Sequence, residues 1–418
     1  MTVMTVMANT SVGIEKIGVY PCSLALSLPE LCRARGREPA DVCGPMMLEE
    51  RSLNPDWEDP VTMAVNAANA VLTNDDRARI ELLIVASESG VDFEKPLSTW
   101  VQRYAGLGAN CRNFEVKHAC YGGTAAVQMA AGWLASAAPP GAKALVVSTD
   151  QSRPHFGKPW EFVLGAGATA VVVSSNPELL EIEIGRSGYW TQEISDLTRP
   201  TALVETGNSE TSLVSYLEAL EGAYTHLVAR VPGTRDYDAF FQRHVYHMPF
   251  GGMAWRAHKT LLRLIDDGVT IQDARASFER KVEPSAQYAR RMGATYSSST
   301  FIGLLGLIDG TGDIAAGERV SMFSYGSGCC SEFYCARIGR GARAAATAAG
   351  VRAGLDARRA VSVQEYEAIE RRRVGWVDCG DYEVPTDTPD GWYDRFYRGR
   401  RKLVFTGMAD FYRQYAWS

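Results

Sequence analysis

The chain has 418 residues, 46% of them hydrophobic and 22% charged, with a formal net charge of −6. That balance argues against bulk nucleic-acid binding and provides enough apolar material for a large core in one or two domains. No apolar run is long enough to span a bilayer, and the opening MTVMTVMANTS lacks the basic and apolar regions of a secretory signal. Met1, Met4 and Met7 are alternative starts. The nine cysteines are odd in number and contain no CxxC pair, so neither a disulfide framework nor a zinc site is expected, and the compartment reads as a reducing cytoplasm.

Residues 17–28 read as a first strand running into a helix, and residues 62–72 as a helix. The continuous apolar run 80–86 reads as an interior strand that ends at Ser87-Glu88-Ser89-Gly90. Residues 114–116 form a short buried strand. Gly122 and Gly123 then permit a tight turn, and the Ala-rich run 124–134 has the composition of a buried helix. Cys120 thus stands at a strand-to-helix corner. A helix N-terminus there favours a thiolate, and its N–H groups can hold an oxyanion. The plainer alternative is a small core cysteine. Residues 142–147 form a strand that closes at Asp150, and 165–173 is Gly/Ala-rich and then β-branched, as in a closely packed strand. This rhythm predicts a largely parallel sheet covered by helices.

A second half opens near Ser209. Residues 213–220 are helical, and 237–247 lead into MPFGGMAWRAHKTLLRLI, with helical spacing over 253–265. Residues 296–307 form a helix that starts among serines. Residues 320–325 form a strand closed by Gly326-Ser327-Gly328, with 333–338 as its neighbour. An Ala-rich stretch follows at 342–349. The pattern Ser362-Val363-Gln364-Glu365 is a capping box for a helix reaching Arg373. Residues 385–389 read as a loop, and the aromatic tail 403–415 as packed. The second half repeats the strand–helix rhythm of the first. On rhythm alone the chain divides into 1–208, carrying Cys120, and 209–418, carrying His247 and a C-terminal extension.

Several side chains have the chemistry of a site. Glu88 lies at a strand end, a frequent place for functional groups in parallel sheets; the alternative is a solvated loop carboxylate. His247, in RHVYHMPFGG, is flanked by His244 and His258. Their spacing fits no common zinc pattern and no Cys or carboxylate joins them, so a neutral hydrogen-bonding role is expected. Tyr325-Gly326-Ser327-Gly328 is a glycine-rich turn able to offer N–H groups to an anion, but no GK[ST] follows, so it is not a P-loop. Arg256, Lys259 and Arg263 are spaced by three and four and share one helix face.

Together these segments resemble the 3-hydroxy-3-methylglutaryl-CoA synthase family of the thiolase superfamily. ASESGVD, FEVKHACYGGTAAVQMA and HVYHMPFGGM match the family's three catalytic segments in order. GAGATAVVV, DLTRP, YLEAL and FSYGSGCCSEFY match further segments. The resemblance implies a five-layered αβαβα fold in two similar halves, a homodimer, and no metal or organic cofactor. It implies that Cys120 is the nucleophile, Glu88 the acid–base and His247 the group that orients the acceptor, with Ser327, Gly326 and Tyr325 at the oxyanion and substrate site. Within the family the chain looks most like the polyketide β-branching branch, whose members add an acetyl-derived unit to a β-keto chain on an acyl carrier protein. Members that use CoA carry a lysine where this chain has Gly252, and the ending FYRQYAWS also resembles that branch. On this reading Arg256, Lys259 and Arg263 would dock the carrier. Two departures stand out: Gly293-Ala294 where the family has Gly-Asn, and the bulkier Glu161-Phe162-Val163-Leu164. A mevalonate-type synthase, a ketosynthase or thiolase, and a carrier-binding scaffold without activity remain as alternatives.

Overall fold

The apolar runs expected of interior strands converge on one nine-stranded sheet in the computed structural model, which describes residues 11–153, 155–388 and 390–418. The alternative starts Met1, Met4 and Met7, and Pro389 of the expected 385–389 loop, lie outside these residues. In chain order the strands are β1 (Gly13–Tyr20), β2 (Ile80–Ala86), β3 (Arg112–Val116), β4 (Lys143–Gln151), β5 (Ala166–Ser174), β6 (Leu180–Thr191), β7 (Arg243–Tyr246), β8 (Arg319–Gly326) and β9 (Cys330–Ile338). Their spatial order is β7-β8-β9-β6-β1-β5-β4-β2-β3.

The sheet carries the repeated rhythm as a symmetry. Outward from β1, the pairs β1–β5, β5–β4 and β4–β2 are antiparallel, antiparallel and parallel. Outward from β6, the pairs β6–β9, β9–β8 and β8–β7 follow the same sequence. The two sets meet where Gly13 and Ile14 of β1 pair with Glu181 and Leu180 of β6. By pairing, β6 begins the second set although it precedes residue 209.

Two expectations fail here. The sheet is not largely parallel: five of its eight strand pairings are antiparallel and three are parallel. Only Ser327, Gly328 and Cys329 separate β8 from β9, so that step turns the chain back, whereas β5 and β6 flank β1, both antiparallel to it, and run the same way. Residues 17–28 hold two strands before any helix: β1 ends at Tyr20, a second short strand covers Leu24–Ser27, and the helix begins only at Leu28, with Ser27 as its cap.

Strand alternation builds the layers. Helix α1 (Pro60–Val71) is started by Pro60 and a reciprocal Asp59–Thr62 capping box. It shares a core with Leu83, Val85, Leu145 and Val147. The alternate residues Leu82, Ile84, Ala144 and Val146 face the opposite way, into a core with α2 (Gly122–Ser136). That second core also holds Val320, Met322, Tyr334 and the helix α5, whose label follows α3 (Ser209–Arg230) and α4 (Gly251–Ile265) and whose range is Ser299–Gly310. The outer face of the second set, Phe323, Tyr325 and Phe333, is covered by α3 and α4. The order is therefore helix, sheet, helix, sheet, helix, as the resemblance implies.

The C-terminal extension closes the first half. The aromatic tail forms a hairpin, Leu403–Ala409 with Tyr412–Trp417, and Arg413 and Tyr415 both bond Asp59 at the start of α1. The 161–164 segment is anchored in this extension. Glu161 is fully buried, gripped by two guanidinium nitrogens of Arg35 and by the Gly157 N–H and the Tyr366 hydroxyl. Among the described residues no helix is long and apolar enough to cross a membrane.

Candidate active site

The ends of β2, β4 and β8 and the start of α2 meet at Cys120. The chain turns through Ala119 in the left-handed region, φ 41°. It is held there by Tyr121 N–H bonding His118 O at 3.0 Å and Ser297 Oγ bonding Ala119 O at 3.0 Å. A Cβ on Gly123 would lie 2.5 Å from Ser148 Oγ and 2.8 Å from Ser297 O, so glycine lets α2 start this close to β4. A Cβ on Gly326 would lie 2.5 Å from His118 O and 2.7 Å from Tyr121 N, so the glycine-rich turn is seated directly on the cysteine corner.

The expectation of a thiolate at Cys120 is not met. Burial, then Glu88, Asp150, Asp196 and Glu205 in that order, push the thiol well above its ordinary range. A helix terminus contributes only partial charge, and here burial, with four acidic side chains contributed by distant segments, opposes it. A thiol in this setting can act as a nucleophile only by shedding its proton as the new bond forms.

Glu88 sits in the turn after β2, tied to Asp150 at the end of β4. Asp150 Oδ1 accepts the Glu88 N–H at 2.9 Å and the hydroxyls of Ser89 at 2.9 Å and Ser87 at 3.2 Å. Burial and then the Asp150 carboxylate raise Glu88 above the usual carboxylate range, against the opposing pull of Arg199. Burial raises Asp150 as well. Such a carboxyl can take up and return a proton near neutral pH.

His247 follows β7 and is fully buried, whereas Glu88 and Cys120 are half-buried. Its Nδ1 lies 2.6 Å from Ser299 Oγ, the first residue of α5, and Ser299 Oγ in turn accepts the Met248 N–H at 3.4 Å. A serine hydroxyl that donates to Nδ1 leaves the imidazole proton on Nε2. Burial pushes the imidazole down to about 3, so it is a neutral donor. The neighbouring histidines are engaged elsewhere: His244 with Ser321 at 2.8 Å, and His258 with Tyr246 at 3.0 Å and Ser277 at 2.9 Å.

The other expected residues divide. Ser327 and Gly326 lie in the turn beside Cys120, with Ser327 half-buried. The Tyr325 hydroxyl is committed to Asp196 at 2.8 Å, and Gly328 N–H bonds the same carboxylate at 3.0 Å, so Tyr325 acts as a clamp on the DLTRP segment. Cys329 is buried in the core under α3, its main chain paired with Gln192. Arg256 and Lys259 are half-buried and Arg263 is exposed on one face of α4, with Arg256 over the Phe250 ring and Lys259 over the Trp255 ring. Gly252 has a packing reason: a side chain there would run into the Pro45 carbonyl. The two family departures touch, since Ala294 N–H bonds Val163 O at 2.7 Å and Leu164 bridges Ala294. Sequence reasoning missed Asp150, Asp196, Arg199, Glu205 and Ser299 as parts of the site. DLTRP and the serine run after Tyr296 were the available signals.

The chain is also similar to known proteins over nearly its whole length. The family model for the N-terminal part of hydroxymethylglutaryl-coenzyme A synthase matches residues 10–177, which include Glu88 and Cys120. The model for the C-terminal part matches 257–388, so His247 falls between the two spans. The polyketide biosynthesis 3-hydroxy-3-methylglutaryl-ACP synthase PksG of Bacillus subtilis (strain 168) is 37% identical over 97% of this chain and 99% of its own. The hydroxymethylglutaryl-CoA synthase of Enterococcus faecalis is 32% identical over 86% and 91%. The crystal structure of the curacin biosynthetic pathway HMG synthase covers 98% of this chain and 100% of its own at 38% identity, with a TM-score of 0.91. That synthase has also been solved with apo, acetyl and holo donor-ACP.

The charge around the thiol gives a direct expectation. Alkylation of Cys120 should rise with pH through a midpoint above that of a free cysteine. Asp150→Asn, which removes one of the acids, should move the midpoint down and speed alkylation at pH 8 by several-fold. Mass-spectrometric rates for the Cys120 peptide check this; a wild-type midpoint near or below about 8.5, the free-thiol value, contradicts it.

Proposed function

The chain belongs to the hydroxymethylglutaryl-coenzyme A synthase family, and from that premise we propose that it joins an acetyl unit to a β-ketoacyl chain carried on an acyl carrier protein during polyketide β-branching. As a member of that family it is an acyl-transferring condensing enzyme. The observation that carries the polyketide reading is the near full-length likeness to two polyketide-pathway synthases, one of them solved with its donor carrier. The crowding at Gly252 supports it, because the lysine associated with CoA use has no room there.

In the proposed sequence Cys120 takes the acetyl group from its thioester. Glu88 removes a methyl proton, and the enolate oxygen is held by N–H groups beside Cys120 and Ser327. The enolate carbon adds to the β-keto carbon of the acceptor, and protonated Glu88 returns its proton to the new alkoxide. His247, as an Nε2–H donor, hydrogen-bonds the acceptor thioester carbonyl. Water then releases the product from Cys120. No metal or organic cofactor enters, and both substrates ride on phosphopantetheine thioesters. We take the site to work in a cytoplasmic homodimer. Every cysteine is a free thiol, and β3 ends the sheet with half-covered side chains.

The division of labour is tested by variants. Cys120→Ser should abolish acetyl labelling of the protein. Glu88→Ala should still acetylate Cys120 yet lose condensation by about 100-fold or more. His247→Ala should acetylate and lose mainly the acceptor step. Intact-mass labelling with an acetyl donor, followed by addition of acceptor, separates the steps. Stable label on another cysteine, or a folded Glu88→Ala that cannot be acetylated, would overturn the assignment.

The carrier reading has its own test. Arg256→Glu with Lys259→Glu should raise KM for the acceptor on carrier protein by about tenfold, less at high salt, because carrier proteins are acidic. Turnover of the same acyl group on a pantetheine mimic should hardly change. Equal losses on both substrates would mean that these residues support the fold.

A further inference from the structure

Residues 194–208 cross from the glycine-rich turn to the back of Glu88. Ile194 N–H bonds Gly328 O at 2.8 Å, which pins the start of the segment to the turn, and Asn208 N–H bonds Asp196 O at 2.9 Å, which closes the segment on itself. Between them Leu197–Thr198 pairs antiparallel with Thr206–Gly207 in a short ribbon. From this ribbon Arg199 reaches inward, and its Nη1 donates to the Glu88 carbonyl oxygen at 2.6 Å. Its Nε donates to Glu205 Oε2 at 2.8 Å, and its Nη2 bonds the same oxygen. Glu205 Oε1 in turn faces His155 Nε2 at 3.3 Å. The side chains of Arg199, Glu205 and His155 are only 16%, 13% and 7% exposed.

We propose that Arg199, locked by Glu205 and His155, positions Glu88 for proton abstraction: it holds the main chain of the base from one side while Asp150 holds it from the other, and it supplies the positive charge beside the carboxylate. This rests on the assignment of Glu88 as the base. The other titratable groups that act on Glu88 are Asp150 at the end of β4, Asp196 and Glu205 on the crossing segment, the Cys120 thiol and the Tyr296 hydroxyl, while Arg153 acts on Arg199 and Glu205. An ionised base among these groups depends on the guanidinium. Arginine is suited to both tasks, because its planar fork fixes a carboxylate and a carbonyl at once while the charge stays permanent. Glu88 must be ionised to take a proton, so loss of Arg199 favours the protonated form and moves the acid limb of the condensation rate to higher pH.

The test compares wild type, Arg199→Ala, Arg199→Lys and Glu88→Gln in two assays. One is Cys120 acetylation by intact mass, and the other is condensation across about pH 5–9. Arg199→Ala should acetylate within about twofold of wild type, condense about 100-fold slower, and show its acid limb displaced upward. Arg199→Lys should bring back most of the pH midpoint and only part of the rate, since the charge returns without the fork. Acetylation and condensation falling in parallel with an unmoved midpoint would overturn the proposal in favour of a purely structural part. Wild-type condensation by Arg199→Ala beside an inactive Glu88→Gln would sink the role of Arg199 alone. A Glu88→Gln that condenses normally would sink the base assignment itself. Should Arg199→Ala fail to fold, Arg199→Lys carries the test, and an unchanged condensation rate in it overturns the proposal.

Discussion

A half-buried thiol surrounded by acids is the constraint on which the rest of this site depends. Cys120, Glu88, Asp150 and Asp196 are drawn together from the ends of different strands and loops. Each carboxylate makes the next harder to ionise. The arrangement disfavours a standing thiolate and keeps Glu88 near the point where it can exchange a proton. Burial of charge is costly unless it is paired and hydrogen-bonded. The pairing here is specific: three donors on one Asp150 oxygen, and the Arg199–Glu205 ion pair against the Glu88 main chain.

The fold explains how such a cluster can be assembled and kept rigid. The two strand sets place β2 and β4 of the first half and β7 and β8 of the second at equivalent positions, with α2 and α5 back to back between them. The cysteine corner comes from the first half. The histidine after β7, the serine that orients it at the start of α5 and the turn after β8 come from the second. Close approaches at Gly123 and Gly326 bring the halves into contact beside Cys120, where a methyl group would already collide. Packed interiors deform little, so the geometry of the acid cluster is inherited from the sheet.

Much of this was legible in the sequence where one local signal was strong. The unbroken apolar run 80–86 coincides with β2, and the Ser362–Glu365 pattern forms a capping box at the start of Val363–Gly375. Cys120 was legible from glycines that follow a strand and open a helix. Strand β6 was not, because its alternation breaks in the exposed stretch around Gly185 and Arg186. The direction of the strands was misread because apolar runs report burial and not polarity; the three-residue link after Gly326 was the clue. The thiolate expectation failed for a different reason. Helix position is local, whereas acids that oppose it lie 30 and 76 residues away at Asp150 and Asp196. Arg199 and Glu205 were hidden likewise, since an ion pair on a short ribbon looks like any polar loop until the ribbon is seen to lie over the base.

The central claim is that Glu88 moves a proton at the methyl carbon of an acetyl group held on Cys120. The most direct measurement is to acetylate the enzyme in deuterated water without acceptor and to follow the mass of the acetylated Cys120 peptide. The account predicts that the wild-type acetyl group gains deuterium at its methyl carbon, while the acetyl group on a folded Glu88→Gln variant stays unlabelled. Equal labelling of the two proteins, or a wild-type acetyl group that never exchanges, would contradict it.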